Sequence, residues 1–200
     1  MSKKNSNVKN PNRILEEKIK TSKIYLNFES ILGKTIKKKP FIVAVSGGPD
    51  SLALTALSKV YKSQNKNKIT FVLIDHGIRK NSSSEALQVK KILKKQNILL
   101  HVIKNKLKIQ RNVQNHARLV RYNLLTDYCK NKKTKFLLTG HHSDDQVETF
   151  LMRLSRGSGV QGLSAMKKIT KIDKKIKLIR PLLNCKKKDL QNISKKFFKK

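Results

Sequence analysis

The chain has 200 residues, of which 47 are Lys or Arg and 12 are Asp or Glu, for a formal net charge of +35. That length suits one domain whose core buries about 70% of the surface its unfolded chain exposes. No apolar run reaches the roughly 18 residues of a membrane-spanning helix, and the polar, lysine-rich stretch from Met1 to Asn12 lacks the apolar centre of a secretory signal, so the expected compartment is the cytoplasm.

The two cysteines, Cys129 and Cys185, form no CxxC pair and suggest neither an iron–sulfur centre nor a redox motif. An AT-biased genome would inflate Lys, Asn and Ile but would not deplete Asp and Glu. The shortage of acids therefore points to a polyanionic partner, most often nucleic acid. A merely solvated surface, or an acidic partner segment that is missing, is the plainer alternative. Arginines sharpen the first reading: Arg79, Arg111, Arg118, Arg121, Arg153, Arg156 and Arg180 all lie in or near the motifs below, and only Arg13 does not.

Residues 1–12 are expected to be disordered. From Asn12 to Leu32 the apolar positions suit one or two short packing helices, completing a basic N-terminal extension over residues 1–40 that precedes a catalytic domain over 41–200. Phe41-Ile-Val-Ala-Val45 reads as a short buried strand, and Leu52, Ala53, Ala56 and Leu57 follow a helical period. Between them lies Ser46-Gly47-Gly48-Pro49-Asp50-Ser51. Glycines let a backbone turn sharply and approach a ligand, and the following helix aims unpaired N–H groups into the loop. Ser46 and Ser51 add hydroxyls. A carboxylate beside a phosphate is repelled unless a cation lies between, so Asp50 argues for Mg²⁺. The loop therefore reads as a nucleotide phosphate site with a metal. Gly33-Lys34-Thr35 resembles the tail of a P-loop, but Phe28 stands where that motif needs its first glycine.

Ile69 to Asp75 is a second buried strand, ending in Asp75-His76-Gly77-Ile78-Arg79. Ligands of open parallel sheets bind beyond the carboxyl ends of the strands, which brings Asp75, His76 and Arg79 towards the first loop. Ser82-x-x-Glu85 reads as a capping box opening a helix. Ile98 to Ile103 is a third strand, and Asn112 to Tyr128 a helix with Arg118 and Arg121 on one face, either as surface charges or as contacts to a nucleotide or RNA backbone. Lys135 to Gly140 is a fourth strand running into His141-His142-Ser143-Asp144-Asp145-Gln146-Val147-Glu148. His141 and Asp145 share a helix face, as do Asp144 and Glu148. No third spaced His or Cys completes a zinc set, so positioning of Mg²⁺ or proton transfer is preferred, with a plain acidic helix N-terminus as the alternative. Arg156-Gly157-Ser158-Gly159-Val160-Gln161-Gly162 spells G-x-G-x-x-G but follows a helix, which fails the dinucleotide-binding context and leaves a basic loop. Leu178 to Leu183 is a fifth strand, and a last helix starts at Lys186. Strand and helix alternate without internal repeats, which predicts an α/β fold: a doubly wound, Rossmann-like parallel sheet.

Ser46-Gly-Gly-Pro-Asp-Ser51 resembles the pyrophosphate-binding PP-loop of the N-type ATP pyrophosphatases. From Phe41 to Leu183 the motifs Asp75-His-Gly-Ile-Arg79, Ala117-Arg118 with Arg121-Tyr122, Thr139 to Thr149, Arg153, Arg156-Gly-Ser-Gly159, Gly162 to Met166 and Arg180-Pro-Leu-Leu183 resemble, in order and spacing, the tRNA(Ile)-lysidine synthase family. The resemblance implies a tRNA-modifying ligase. ATP adenylates C2 of cytidine 34 in the CAU anticodon of tRNA(Ile), releasing pyrophosphate, and free L-lysine displaces AMP to give lysidine. It also implies a division of labour. Asp50, His141, His142 and Asp145 are the catalytic candidates, with Asp50 as the Mg²⁺ ligand. ATP falls to Ser46, Gly47, Gly48, Pro49, Asp50, Ser51, Asp75, His76 and Gly140. The tRNA and lysine fall to Arg79, Arg118, Arg121, Glu148, Arg153, Arg156, Gly157 and Gly159. The family continues into C-terminal tRNA-gripping domains, which are expected to be lacking after Lys200. Another PP-loop tRNA-modifying adenylase, or a truncated non-catalytic RNA-binding relic, is the alternative.

Overall fold

Phe41–Val45 (β1) is apolar along its whole length because it is covered on both faces, as central strands of parallel sheets are. It pairs in parallel with Ile69–Asp75 (β2) on one side and Phe136–Leu138 (β4) on the other. Leu100–Lys104 (β3), Ile169–Lys171 (β5) and Lys177–Ile179 (β6) complete a six-stranded sheet of order β3-β2-β1-β4-β6-β5. The computed structural model describes residues 11–77, 81–105, 113–157 and 164–199.

Strand periodicity of two divides β1 between two cores. Phe41, Val43 and Val45 face one layer, where they join Phe28 and Leu32 of α2 (Lys23–Thr35), Leu54 and Leu57 of α3 (Pro49–Gln64), Val89 and Leu93 of α4 (Ser82–Lys94) and Phe197 of α7 (Lys187–Phe198). Ile42 faces the opposite layer with Val72, Leu137 and Leu178, against Leu125 and Cys129 of α5 (Val113–Asn131). Helix α3 is buried on nearly all sides, from Ser51 through Ser58, and Phe28 meets Tyr61 edge-on with ring centroids 6.0 Å apart. Helix α1 (Pro11–Lys20) packs beside α3 and α7. Helix α6 (Ser143–Leu154) buries none of its residues, and its apolar stripe of Val147, Phe150, Leu151 and Leu154 stays exposed.

The chain winds outward from β1 through β2 to β3, then crosses the other face by α5 and restarts at β4. Winding direction reverses between β1 and β4, so the loops leaving these two neighbours open a crevice at the carboxyl edge. The doubly wound parallel sheet expected from the alternation is therefore present, with two corrections. Strand β5 is antiparallel and was not anticipated: it has three residues, two of them exposed, and no apolar run to signal it. The last parallel strand stops at Ile179 rather than Leu183. Pro181 has no N–H to continue a ladder, and Leu182 and Leu183 are apolar because they are buried in the following turn.

Asn67, buried in the connection from α3 to β2, donates from its Nδ2 to the carbonyls of Lys37 and Lys39 at 2.7 and 2.8 Å. It thereby pins the link between α2 and β1. Asn67→Ala removes both donors and is expected to cost about 2 kcal/mol, measurable as a lower urea midpoint with an unchanged slope.

Candidate active site

The first loop of the crevice is held shut by Ser51. Its hydroxyl donates to the Gly48 carbonyl at 2.9 Å and accepts from the Ser46 amide and the Ser46 hydroxyl, each at 3.1 Å. The one proton of Ser51 thus closes the loop, whereas sequence reasoning had it free for an anion. Gly47 sits at φ +85°, and a Cβ there would lie 2.6 Å from Cγ2 of Val89 in α4. Gly48, the N-cap of α3, is different: a Cβ would meet only the Ser46 hydroxyl, at 3.8 Å. No atom of the described residues requires glycine there. Its lack of a side chain leaves the first amides of α3 open from outside, as an anion cradle needs. Pro49 takes the first helical turn, where its missing N–H costs nothing.

The second loop, Thr139 to His142 between β4 and α6, touches the first through backbone. A Cβ on Gly140 would fall 2.9 Å from the Asp50 carbonyl oxygen and 3.1 Å from the Ser51 nitrogen. His142 is the N-cap of α6 and only 4% exposed. Its Nδ1 accepts from the Asp144 amide at 3.2 Å, while its own amide donates to Asp145 Oδ2 at 2.8 Å. A neutral ring accepting at Nδ1 carries its proton on Nε2, which faces Asp50 Oδ2 at 3.4 Å and Asp145 Oδ2 at 3.8 Å. His142 is thus a buried strut between the two loops. The other Asp50 oxygen, Oδ1, is buried with no hydrogen-bond partner among the described residues. His141 is half-buried and shares a hydrogen bond of 2.9 Å between Nδ1 and the Thr139 hydroxyl. Burial, reinforced by the nearby Arg180 guanidinium, pushes its pKa down to about 4, so the ring is neutral at physiological pH.

The end of β2 supplies the third wall. The buried Asp75 carboxylate accepts from the Gly77 amide at 3.1 Å, from the Ser83 hydroxyl at 2.7 Å and closely from the Ser82 hydroxyl. Burial works to raise its pKa, but these donors outweigh it and hold the carboxyl below its ordinary value. The capping box expected at Ser82 and Glu85 is therefore absent: Asn81 is the N-cap of α4, without a side-chain cap bond, because Ser82 is committed to Asp75. Burial, with Arg121 close by, keeps His76 below the usual histidine range, and its Nδ1 is buried without a partner among the described residues.

A cavity of about 180 Å³ lies between the loops, with Ser46, Gly48, Asp50, Ser51, Gly140, His141 and Asp145 around an apolar floor of Ala44, Val72, Ile74 and Leu125. A neighbouring cavity of about 140 Å³ shares Ser46, Ile74 and Arg121 with it and adds Asp75 and His76. Arg118 stands outside, its guanidinium 5.6 Å from the ring centre of Tyr122, which lines the first cavity with Arg121. Glu148 is exposed one turn beyond Asp145. Arg153, Arg156 and Gly157 lie at the far end of α6, about 15–20 Å along its axis from the first turn. Arg79 and Gly159 fall outside the described residues. Thr139 and Arg180 have no site role in the sequence reading. Arg180 is 8% exposed, donates to the Lys167 carbonyl and the Thr170 hydroxyl at 2.8 and 2.9 Å, and has no ion-pair partner among the described residues. A charged residue between an apolar strand and a proline was the available signal.

A family profile described as the PP-loop domain matches residues 18–198. The tRNA(Ile)-lysidine synthase of Orientia tsutsugamushi is 45% identical over 152 residues, covering 74% of this chain and 34% of that protein. The enzyme of the same name from Zymomonas mobilis is 39% identical, covering 77% of this chain and 47% of its own length. The chain thus spans about a third to a half of these relatives. Among solved structures, the U34-tRNA thiolase NcsA of Methanococcus maripaludis superposes with a TM-score of 0.72 at 20% identity, covering 92% of this chain and 64% of that one. FMN adenylyltransferase of Candida glabrata in complex with ATP gives 0.54 at 14%, covering 92% and 61%. These two likenesses concern the fold.

Gly140→Ala drives a methyl into the backbone of Asp50 and Ser51 and is expected to destabilise the protein by about 1–3 kcal/mol, read by denaturant titration. His141 is expected to titrate near pH 4 by NMR. Its folded-state pKa is depressed, so its protonation opposes folding. The resulting loss of stability sets in as pH falls through about 6.5 and is complete near 4, and His141→Gln is expected to remove that part of the pH dependence.

Proposed function

The chain belongs to the PP-loop domain family, and we propose that it binds ATP in the crevice between β1 and β4 and uses it to ligate lysine to a tRNA. The single observation that carries the nucleotide reading is the Asp50 carboxylate. One of its oxygens faces His142, and the other is buried, has no hydrogen-bond partner among the described residues and belongs to a residue lining the cavity at the start of α3. Mg²⁺ binds with one or two carboxylates plus substrate phosphates rather than in an all-protein cage. A lone aspartate at a phosphate loop fits it, and no cluster of three or more potential ligands occurs among the described residues. Asp50 would hold the ion, which would neutralise charge on the departing pyrophosphate. Ser46 to Ser51 would hold the pyrophosphate itself.

The names of the sequence relatives support the finer reading: lysidine formation on the CAU anticodon of tRNA(Ile), with free L-lysine as the second substrate. The side chains suit that chemistry. Adenylation turns the cytidine C2 oxygen into a leaving group, and the lysine ε-amine attacks C2 as AMP departs. The attacking amine must lose protons. His141 is neutral, and with Nδ1–H donating to Thr139 its Nε2 is available to accept one. Asp145 spends Oδ2 on the His142 amide and keeps Oδ1 for an ammonium, with Glu148 one turn further on. Arg118, Arg153 and Arg156 would give the incoming tRNA a basic approach, in keeping with the net charge of +35, while Arg121 lines the cavities where the nucleotide would sit.

The test incubates the purified chain with Mg-ATP and a tRNA(Ile) bearing CAU, with and without lysine, following pyrophosphate release and the mass of the first anticodon nucleotide. Lysine-dependent lysidine is the expected product, and Asp50→Ala is expected to lower the rate by about a hundredfold or more. An Asp50→Ala protein as fast as the wild type would end the metal role, and an unmodified tRNA would end the ligase reading.

A further inference from the structure

The phosphate loop has a second side. Gly47 and Pro49, with Leu52, form one wall of a separate cavity of about 230 Å³, and the facing wall is α7, through Gln191, Ser194 and Lys195. These three positions share a helix face. That face adjoins the buried side of α7, where Leu190, Phe197 and Phe198 sit in the core and the helix packs along α3. A helix serving only to cover the loop would present apolar side chains there. This one presents an amide, a hydroxyl and an ammonium.

Charge balance gives that ammonium a purpose. The loop Ser46 to Ser51 contains one charged side chain, and it is an acid. Among the described residues lining the inner cavity are one guanidinium, Arg121, and two carboxylates, Asp50 and Asp145. A nucleoside triphosphate carries more negative charge than one Mg²⁺ and Arg121 offset, so a further cation at the phosphate end would strengthen binding. Lys195 shares a cavity with the loop, is exposed, and has no ion-pair partner among the described residues. Its four-carbon stem ends in a compact charge suited to phosphate oxygens.

We infer that Lys195 is a phosphate-binding residue, reaching over the Gly47–Pro49 rim to the β- and γ-phosphates of ATP, with Gln191 as a neutral donor beside it. This deepens the ATP reading and rests on it. Helix α7 then belongs to the nucleotide site as well as to the core, and the last element of the chain completes the loop that follows its first strand.

Calorimetric titration of the whole 200-residue chain with Mg-ATP, Mg-pyrophosphate and AMP tests this. Lys195→Gln is expected to weaken ATP and pyrophosphate binding about tenfold and to leave AMP, which lacks both outer phosphates, within about twofold. Lys195→Arg is expected to restore most of the loss. Lys196→Gln removes the same charge one residue along, away from the cavity, and is expected to bind all three ligands as the wild type does. A Lys195→Gln protein that matches Lys196→Gln on ATP and pyrophosphate would overturn the inference while leaving the ATP reading intact. A wild type that binds pyrophosphate through Lys195 but not ATP would overturn the ATP reading and keep the phosphate site. Binding of neither ligand would end both.

Discussion

Everything at the carboxyl edge depends on how closely two backbones approach. Gly140, at the start of the second loop, lies against the Asp50 carbonyl and the Ser51 nitrogen with no room for a methyl group. That contact joins two segments separated by some ninety residues of sequence, and it is possible only because β1 and β4 are hydrogen-bonded neighbours. It brings the N-termini of α3 and α6 into one crevice. The first amides of α3 and the dipole ends of both helices then act on the same volume, where negative charge is favoured. Asp50 and Asp145 both contribute carboxylates to that volume, so a cation is the natural third party.

The polar groups that shape the crevice are buried, and each is stabilised by a specific partner. His142 gives one nitrogen to the cap of α6 and turns the other to Asp50. Asp75 takes three donors from the start of α4 and the loop before it. Arg180 ties the end of β6 to the edge strand β5. Buried polar groups cost several kcal/mol when unpaired and little when satisfied, so these contacts make the loops rigid without a large stability penalty. Five buried side-chain atoms lack partners among the described residues: Asp50 Oδ1, Ser58 Oγ, His76 Nδ1, Tyr128 Oη and Arg180 Nε, of which Asp50 and His76 line the cavities. Open polar atoms on Asp50 and His76, at the walls of the cavities, are groups that a ligand or ion can satisfy.

Much of the architecture was legible from residue patterns because local and global preferences agree. Apolar runs at Phe41–Val45 and Ile69–Asp75 are strands because they are covered on both faces, and Ser-Gly-Gly-Pro-Asp-Ser between strand and helix announces an anion loop. Strand β5 escaped notice because an exposed three-residue edge strand has no hydrophobic signature. The strand at Leu178 was read too long, since buried turn residues and strand residues look alike in a sequence. Ser82 has a different partner from the one its spacing suggests. Its spacing to Glu85 is that of a capping box, but the Asp75 carboxylate, seven residues upstream at the end of β2, takes the hydroxyl in a charge-assisted bond.

By itself the sequence determined the central strands and the helices between them, the doubly wound parallel core of the sheet, and which residue types carry phosphate chemistry. Those properties follow from hydrophobic period, β-branched runs and glycine placement, all local. Tertiary structure alone decided what each side chain does. Ser51 closes its loop, His142 braces two loops, His141 is held neutral, and Lys195 of the last helix faces the loop of the first strand. The physical reason is that proton positions, charge states and hydrogen-bond partners depend on burial and on groups brought together from distant parts of the chain, and spacing along the sequence encodes neither.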